Sequence, residues 1–307
     1  MEKFNYLRKF YLVLVTAFGL AYSLAAQAKT LNVVTDIAPV QAIVSGLISP
    51  QSTSIQLVST AISSHDFALK PSQIRAVQQA DLIIWLGPIA TPGLARLMAQ
   101  PAIAAKAITL NELPKTHLLK ELKPGLFNPA IPRKTRDPHS WLDPDNAVYW
   151  SQEIARALTR LDPKHSAAYL ASAQAQSEKI NNQKAEINVI FGTADLLPYV
   201  QFHEAFQYFE EEFNLHPMGA ATTSDPRATS LGVTTELRAE LQKTTRSCLL
   251  VRDQRQADQA APFRQISGVK LGFVDPLGAD IGKVNFSYTS LLAKISTGFL
   301  ACLTTKP

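Results

Sequence analysis

One stretch of the chain, residues 167–190, contains neither glycine nor proline and is rich in Ala, Gln, Glu and Lys. These residue types favour helix, and Asp162-Pro163 is a start signal that places proline in the first helical turn. At about 1.5 Å per residue, a helix over residues 163–190 would be about 40 Å long, which is more than one small lobe needs. The sequence therefore predicts a rigid connector between two lobes.

Strand and helix signals alternate on both sides of this connector. Apolar strand patterns are followed by helical patterns, and the predicted strands are residues 31–35, 54–58 and 81–86 before the connector and 197–202, 247–251 and 269–274 after it. Such alternation is typical of parallel sheets with helices on their faces. The predicted fold class is α/β, with two similar lobes of parallel sheet flanked by helices and joined by one long rigid backbone helix.

The N-terminus has the pattern of an export signal. Three basic residues precede an apolar run over residues 11–24, and Ala26-Gln27-Ala28 offers the small-x-small pattern cut by signal peptidase. The run is shorter than the roughly 20 residues that span a bilayer, so a membrane anchor is the weaker alternative. We predict a signal peptide over 1–28, a periplasmic address, an N-terminal lobe over 29–162, a connecting helix over 163–192 and a C-terminal lobe over 193–307.

Charge and cysteine content narrow the possible partners. The formal net charge is +5, and the basic residues are scattered rather than gathered in an aromatic-interleaved stripe, so nucleic acid is not predicted as a partner. The two cysteines, Cys248 and Cys302, would meet an oxidising compartment after export. A disulfide between them is the economical interpretation, and two buried thiols are the alternative.

Three of the six histidines share one context. His65, His139 and His203 each lie near the junction of an apolar strand-like stretch and a polar turn, and Asp275 directly follows a predicted strand. Ligands in open α/β sheets bind at the carboxyl ends of the strands. Three imidazoles and one carboxylate form a tetrahedral set suited to Zn²⁺, whereas Mn²⁺ would call for more oxygen.

Simpler interpretations of these histidines stay open on the residues alone. His139 would cap a helix after Asp143, and His203 would cap a helix that begins near Glu204. The remaining histidines, His117, His165 and His216, are left out of the site, because they lie in a Lys-rich loop, a polar helix start and a turn. Residues 113–138, which carry five prolines, are predicted to form a long surface loop.

Several segments of the sequence resemble those of the metal-binding receptors of ABC transporters. Within that group of receptors, the segments are most similar to those of the periplasmic zinc receptors of zinc-uptake systems. They are residues 64–72 (SHDFALKPS) with 80–83 (ADLI), 137–144 (DPHSWLDP), 202–209 (FHEAFQYF) and 274–278 (VDPLG). The resemblance covers nearly the whole mature chain. It implies a metal held between the lobes by one histidine from each of the first three strings, and a common C-terminal disulfide that Cys248 and Cys302 suit.

The resemblance also implies partners and a metal. Manganese members carry glutamate at the position of His203, so zinc is expected as the transported ligand, with a manganese or other divalent-metal receptor as the alternative. Zinc receptors often have glutamate where this chain has Ser64, so Asp275 or water is expected as the fourth ligand. Asp66, Asp143 and Glu204 are candidates for the groups that orient the ligands. A monomer that delivers Zn²⁺ to a membrane permease with its cytoplasmic ATPase is expected.

An exported zinc hydrolase is the rival class, because three histidines and a water on zinc also activate that water. Glu204 would then act as the base. However, the chain has no His-Glu-x-x-His helix, and the candidate ligands come from widely separated strands. The sequence therefore favours a receptor over an enzyme. Scavenging of metal by the 113–138 segment is not expected, since the segment has one histidine and a basic composition.

Overall fold

The computed structural model describes residues 30–59, 67–127, 130–222, 231–279, 281 and 286–304. The predicted signal peptide and His65, with Ser64 and Asp66 beside it, lie outside the described residues. Among the helices that are described, none combines the length and the apolar character that crossing a membrane requires.

The N-terminal lobe is built on a four-stranded parallel sheet with the strand order β2-β1-β3-β4. Its strands are β1 (Asn32–Thr35), β2 (Thr53–Gln56), β3 (Leu82–Trp85) and β4 (Ala107–Thr109). The helices are α1 (Ala38–Ser45), α2 (Pro71–Gln79), α3 (Ala95–Met98) and α4 (Pro101–Ala104), with 3-10 turns at Pro92–Leu94 and Leu110–Glu112. α1, α2 and α4 have proline in the first turn. A backbone N–H there has no partner within the helix, so the missing N–H of proline costs no hydrogen bond. β3 is apolar and buried along its whole length, as expected for a central parallel strand.

The segment predicted as one long surface loop contains three short strands. These are β5 (Lys120–Leu122), β6 (Gly125–Leu126) and β7 (Pro132–Arg136). β5 and β7 pair antiparallel as a separate two-stranded ribbon. The prediction of a long surface loop was therefore wrong for much of this segment, because Pro124 lies between β5 and β6 and Pro132 is the first residue of β7, positions that proline tolerates.

The predicted long helix is confirmed, and it is the longest helix among the described residues. α5 (Pro144–Leu161) is followed by a 3-10 turn (Pro163–His165) and then by α6 (Ser166–Thr193), which has 28 residues. The buried side chains of α6 recur every three or four residues, or a multiple of that spacing, and so form one face: Tyr169, Ala173, Ser177, Ile180, Ile187 and Phe191. That face packs against the rest of the molecule, and α5 runs alongside it.

The C-terminal lobe holds a five-stranded sheet with the order β11-β10-β8-β9-β6. Its parallel strands are β8 (Tyr199–His203), β9 (Gly219–Thr222), β10 (Ser247–Val251) and β11 (Val269–Phe273). The helices are α7 (Gln207–Glu212), α8 (Leu231–Leu241), α9 (Gln254–Gln259), α10 (Ala261–Arg264) and α11 (Tyr288–Leu303). The fifth strand is β6 from the N-terminal half, which pairs antiparallel with β9.

A continuous apolar core joins the two sheets to the helices between them. It runs from Val33 and Ile83 in the first sheet to Phe191 of α6 and Phe299 of α11, whose ring centroids lie 6.4 Å apart. The disulfide between Cys248 of β10 and Cys302 of α11 ties the last helix to the second sheet. The predicted α/β fold and disulfide are thus confirmed, and the alternative of two thiols was wrong.

Candidate metal centre

Two of the predicted ligands meet where the lobes face each other. The Nε2 atom of His139 lies 3.3 Å from the Nε2 atom of His203, and the two ring centroids are 5.2 Å apart. Zn²⁺ bonds histidine nitrogen at about 2.0–2.1 Å, so two nitrogens at corners of a tetrahedron around it would lie about 3.3–3.4 Å apart. The observed spacing agrees with that distance, and it also equals the length of a hydrogen bond between the two rings.

His139 is oriented by the turn that contains it. It precedes the 3-10 turn Ser140–Leu142, and its Nδ1 lies 2.7 Å from Oδ1 of Asp137. The ring is 2 % exposed and packs edge to face against Trp141 at 5.1 Å. Burial lowers the pKa of His139 to about 3, against an opposing effect of the Glu121 charge. A neutral imidazole that donates from Nδ1 to Asp137 turns the lone pair of Nε2 toward His203.

His203 is the last residue of β8 and is half-buried. In the parallel pairing of β8 with β9 it lies beside Thr222, whose hydroxyl oxygen is 3.4 Å from His203 Nδ1 and donates to the Phe202 carbonyl at 3.0 Å. The position at the carboxyl end of a parallel strand is where ligands bind in such sheets.

Neither histidine serves as the helix cap that the sequence left open. The cap of α5 is Asp143, whose carboxylate accepts from the backbone N–H groups of Asp145 and Asn146. α7 begins at Gln207, with Phe206 as its N-cap, so the predicted helix start near Glu204 was wrong by about one turn. The capping interpretations of His139 and His203 are therefore wrong.

Asp275 lies two residues after β11, in a tight turn. One carboxylate oxygen accepts the Leu277 N–H at 3.0 Å, and the other accepts the Ala279 N–H at 2.7 Å. The next residue, Pro276, accepts from Trp141 Nε1 at 2.9 Å. That bond joins the Asp275 turn to the turn that carries His139, while the direct role of Asp275 as a ligand stays a prediction.

Glu204 follows His203 directly and is 1 % exposed. Within the described part of the chain, no hydrogen bond of ordinary geometry reaches either of its carboxylate oxygens. Burial raises the pKa of Glu204 well above its usual range, the charges of Asp137 and Glu210 add to this, and the Gln207 N–H offsets it in part. Glu204 is therefore a buried carboxyl group directly beside a predicted ligand.

Asp143, a candidate to orient a ligand, has other partners. Besides capping α5, its carboxylate lies 2.9 Å from His117 Nδ1. It belongs to an acidic cluster with Asp145 and Glu212, and Lys184 lies 2.9 Å from both of those residues. Because Lys184 pairs with two of the three acids, we interpret this cluster as an ion-pair network. His117 is part of it, which is consistent with leaving that histidine out of the site.

Sequence reasoning missed two residues that contact the predicted ligands His139 and His203. Asp137 had a signal in the sequence, because a carboxylate two residues before a histidine has the spacing of an Asx-turn. The backbone N–H of His139 does donate to Asp137 Oδ1, at 2.9 Å. Thr222 gave no signal, because its contact with His203 depends on the register between two strands.

Known proteins resemble this chain over nearly its full length. Residues 33–301 match the family model described as ZnuA, zinc-uptake complex component A, periplasmic. The high-affinity zinc uptake system protein ZnuA of Paracoccus denitrificans is 28 % identical over 95 % of this chain and 97 % of its own length.

Solved structures share the fold. A zinc-bound ZnuA variant lacking its residues 138–173 superposes with a TM-score of 0.70, at 22 % identity, over 91 % of this chain and all of that one. The periplasmic zinc-binding protein TroA of Treponema pallidum gives a TM-score of 0.76, at 16 % identity, over 90 % of this chain and 99 % of that one. At 22 % and 16 % identity, the similarity to these structures shows the fold alone.

Proposed function

This chain belongs to the family of periplasmic components of zinc-uptake complexes, and we propose that it captures Zn²⁺ between its two lobes through His139 and His203. Members of this family are substrate-binding receptors of ABC transport rather than enzymes. Zinc is accordingly the transported ligand, and a membrane permease with its ATPase receives it.

The observation that carries the proposal is the 3.3 Å between the two Nε2 atoms. Two imidazoles already provide half of a tetrahedral zinc shell, and nitrogen ligands favour zinc over manganese. His65 is the third proposed ligand, and Asp275 or a water molecule is the fourth. Three neutral ligands and one carboxylate would leave a net charge of about +1 on the complex.

The arrangement of lobes is part of the proposal. We propose an N-terminal lobe over 29–162 and a C-terminal lobe over 193–307, with the connector over 163–192, acting together as a monomer. The pairing of β6 with β9 adds one short strand of the first lobe to the sheet of the second. Metal held by His139, which follows the ribbon strand β7, and by His203, at the carboxyl end of β8, would then lie between the lobes.

Alanine substitution of the ligands tests the proposal. We expect His65→Ala, His139→Ala and His203→Ala each to remove tight zinc binding, measured by competition with a chromophoric chelator. His117→Ala is the matched control, because His117 is bound to Asp143 in the ion-pair network. Equal affinities in all four variants would refute the ligand assignment. The same titration with Mn²⁺ tests the rival metal, and Asp275→Ala distinguishes the carboxylate from water as fourth ligand.

A further inference from the structure

Three basic residues share one face of the two-stranded ribbon formed by β5 and β7. Lys120 of β5 pairs with Arg136 of β7, and Lys134 precedes Arg136 by two residues. Residues two apart on a strand lie on the same face of it, and so do residues directly opposite each other on paired strands. All three residues are exposed. We call Lys120, Lys134 and Arg136 the basic face.

The acidic residue of the ribbon lies on its opposite face. Glu121 is 3 % exposed, and its carboxylate accepts the Thr135 hydroxyl at 2.6 Å and lies 3.2 Å from Arg133 Nη1. Within the part of the chain that the structure describes, no carboxylate forms an ion pair with a member of the basic face, although Arg136 donates to the Leu118 carbonyl at 2.9 Å. The basic face therefore carries three positive charges without a negative charge paired to them there.

The pairing of Lys120 with Arg136 costs stability. Like charges directly opposite each other on antiparallel strands repel, whereas opposite charges at such positions would attract. Charged side chains on exposed strands also prevent edge-to-edge association, but charges of both signs would serve that purpose equally. Charge of a single sign gathered on one face indicates an anionic partner instead.

The construction of the ribbon favours a charged surface over a single small anion. Exposed side chains on an open ribbon attract negative charge without enclosing it. Close to the basic face along the ribbon, Ile131 is 50 % exposed, and its carbonyl accepts the N–H of the exposed Lys123 at 2.8 Å. A membrane surface suits this combination, because its anionic headgroups attract cations while an apolar side chain enters the boundary with the acyl chains.

We propose that the basic face docks the protein on the anionic phospholipid surface of the membrane that carries the permease. Arg136 is three residues before His139, so the proposed ligand lies at most about 11 Å along the chain from the docked ribbon. Docking would therefore bring the turn that carries His139 toward the bilayer. The identity of the membrane rests on the proposed function, whereas the attraction to anionic lipid does not.

Vesicle binding by the full mature chain tests the proposal. The probes are vesicles of equal parts phosphatidylcholine and phosphatidylglycerol and vesicles of phosphatidylcholine alone, with co-sedimentation as the measurement. The basic-face variant combines Lys120→Gln, Lys134→Gln and Arg136→Gln. Its matched control combines Lys164→Gln, Lys179→Gln and Arg246→Gln, which remove the same charges from exposed positions outside the ribbon.

We expect the wild type to bind the phosphatidylglycerol vesicles about tenfold or more tightly than the phosphatidylcholine vesicles. The basic-face variant should lose roughly tenfold or more of this affinity, and the control variant less than about threefold. Salt at about 1 M should remove the preference, because it shortens the screening length to about 3 Å. Soluble glycerol phosphate at the same phosphate concentration should not release the protein, and both variants should keep the zinc affinity of the wild type.

Several outcomes would overturn the inference and leave the proposed function intact. They are equal binding to the two kinds of vesicle, an equal loss in the two variants, which net charge alone would give, and release by glycerol phosphate, which would indicate a site for a single anion. Absence of binding to either vesicle would also overturn it, in favour of an acidic protein partner. A chain that binds vesicles as expected but takes up no zinc would refute the proposed function instead.

A single substitution keeps the test decisive if the basic-face variant fails to fold by circular dichroism. Lys134→Gln then replaces it, with Lys179→Gln as its control. A loss of about threefold or more on the phosphatidylglycerol vesicles is required of Lys134→Gln alone, because each lysine near such a surface contributes separately to the attraction. Equal binding by the two single variants overturns the inference.

Discussion

One carboxylate oxygen of Asp137 accepts two hydrogen bonds from His139, from the backbone N–H at 2.9 Å and from Nδ1 at 2.7 Å. The first bond closes a turn of the backbone, and the second selects the ring tautomer. Both are made by a residue that is itself 1 % exposed. Asp137 thus sets the position and the protonation pattern of the imidazole together.

Replacing Asp137 by alanine should weaken zinc binding by about 10-fold to 100-fold, because partners of a ligand typically contribute that much to affinity. Asp137→Asn should lose less, since an amide oxygen can still accept from His139. Chelator competition measures both, with the exposed Asp258→Ala as control. Wild-type affinity in Asp137→Ala would contradict the role given to this carboxylate.

Thr222→Val should have a smaller effect on zinc affinity than Asp137→Ala. The Thr222 hydroxyl lies 3.4 Å from His203 Nδ1, which is longer than an ordinary hydrogen bond, so we expect a loss of less than about fivefold. The same titration measures it. A loss larger than that of Asp137→Ala would mean that His203 depends on the β9 contact more than the geometry indicates.

The free energy of unfolding of the Glu210→Gln variant should rise relative to that of the wild type as the pH rises. Burial raises the pKa of Glu210 to about 8, although Tyr199 and Gln201 donate to it. Because the folded state holds this proton more tightly than the unfolded chain, the stability it contributes is present below about pH 4.5 and is lost as the pH rises through 8.

The difference in free energy of unfolding between Glu210→Gln and wild type should therefore grow by up to about 1.4 kcal/mol per pH unit over that window. Urea unfolding of the zinc-free proteins at pH 5 and pH 8 measures it. Glu178→Gln, on the exposed face of α6, is the control and should show no such trend. A difference independent of pH would show that Glu210 is ionised throughout.

Removing the disulfide should lower stability but not zinc affinity. The bond links two cysteines that are 54 residues apart in sequence. By restricting the unfolded chain, such a bond is expected to stabilise the folded state by about 4 kcal/mol. Cys248 pairs with Tyr199, at the opposite end of β8 from His203. Chemical denaturation of the Cys248→Ala, Cys302→Ala double variant tests stability, and chelator competition tests the site. A large loss of zinc affinity at unchanged stability would reverse this expectation.

The regular part of the fold was predictable because its signals are local. The run without glycine or proline became α6, and buried apolar stretches such as Leu82–Trp85 became central strands. β6 was not predictable, because a strand of two residues shows no periodicity and its partner β9 lies far along the chain. Its formation depends on the tertiary approach of Gly125 to Ala220 rather than on local preference.

The residue types of the candidate site were predictable from the sequence. The residues that hold those side chains in place were predictable only in part. His139 and His203 could be selected because each lies where an apolar stretch ends, and the structure brings their Nε2 atoms together. The partner of His203 could not be selected, since it depends on strand register.

The strand β6 has a mechanical consequence for metal exchange. The polypeptide passes from the first sheet to an edge of the second at β6, returns to the first lobe, and passes over again along α6. Three stretches of chain therefore tether the halves, one into β6, one out of β6 and one along α6, and the Phe127 N–H donates to the Met218 carbonyl at 2.9 Å beside the tether at β6. A wide swing about a single pivot would break that tether, so loading and unloading are expected to proceed by small displacements of the turns that carry the ligands.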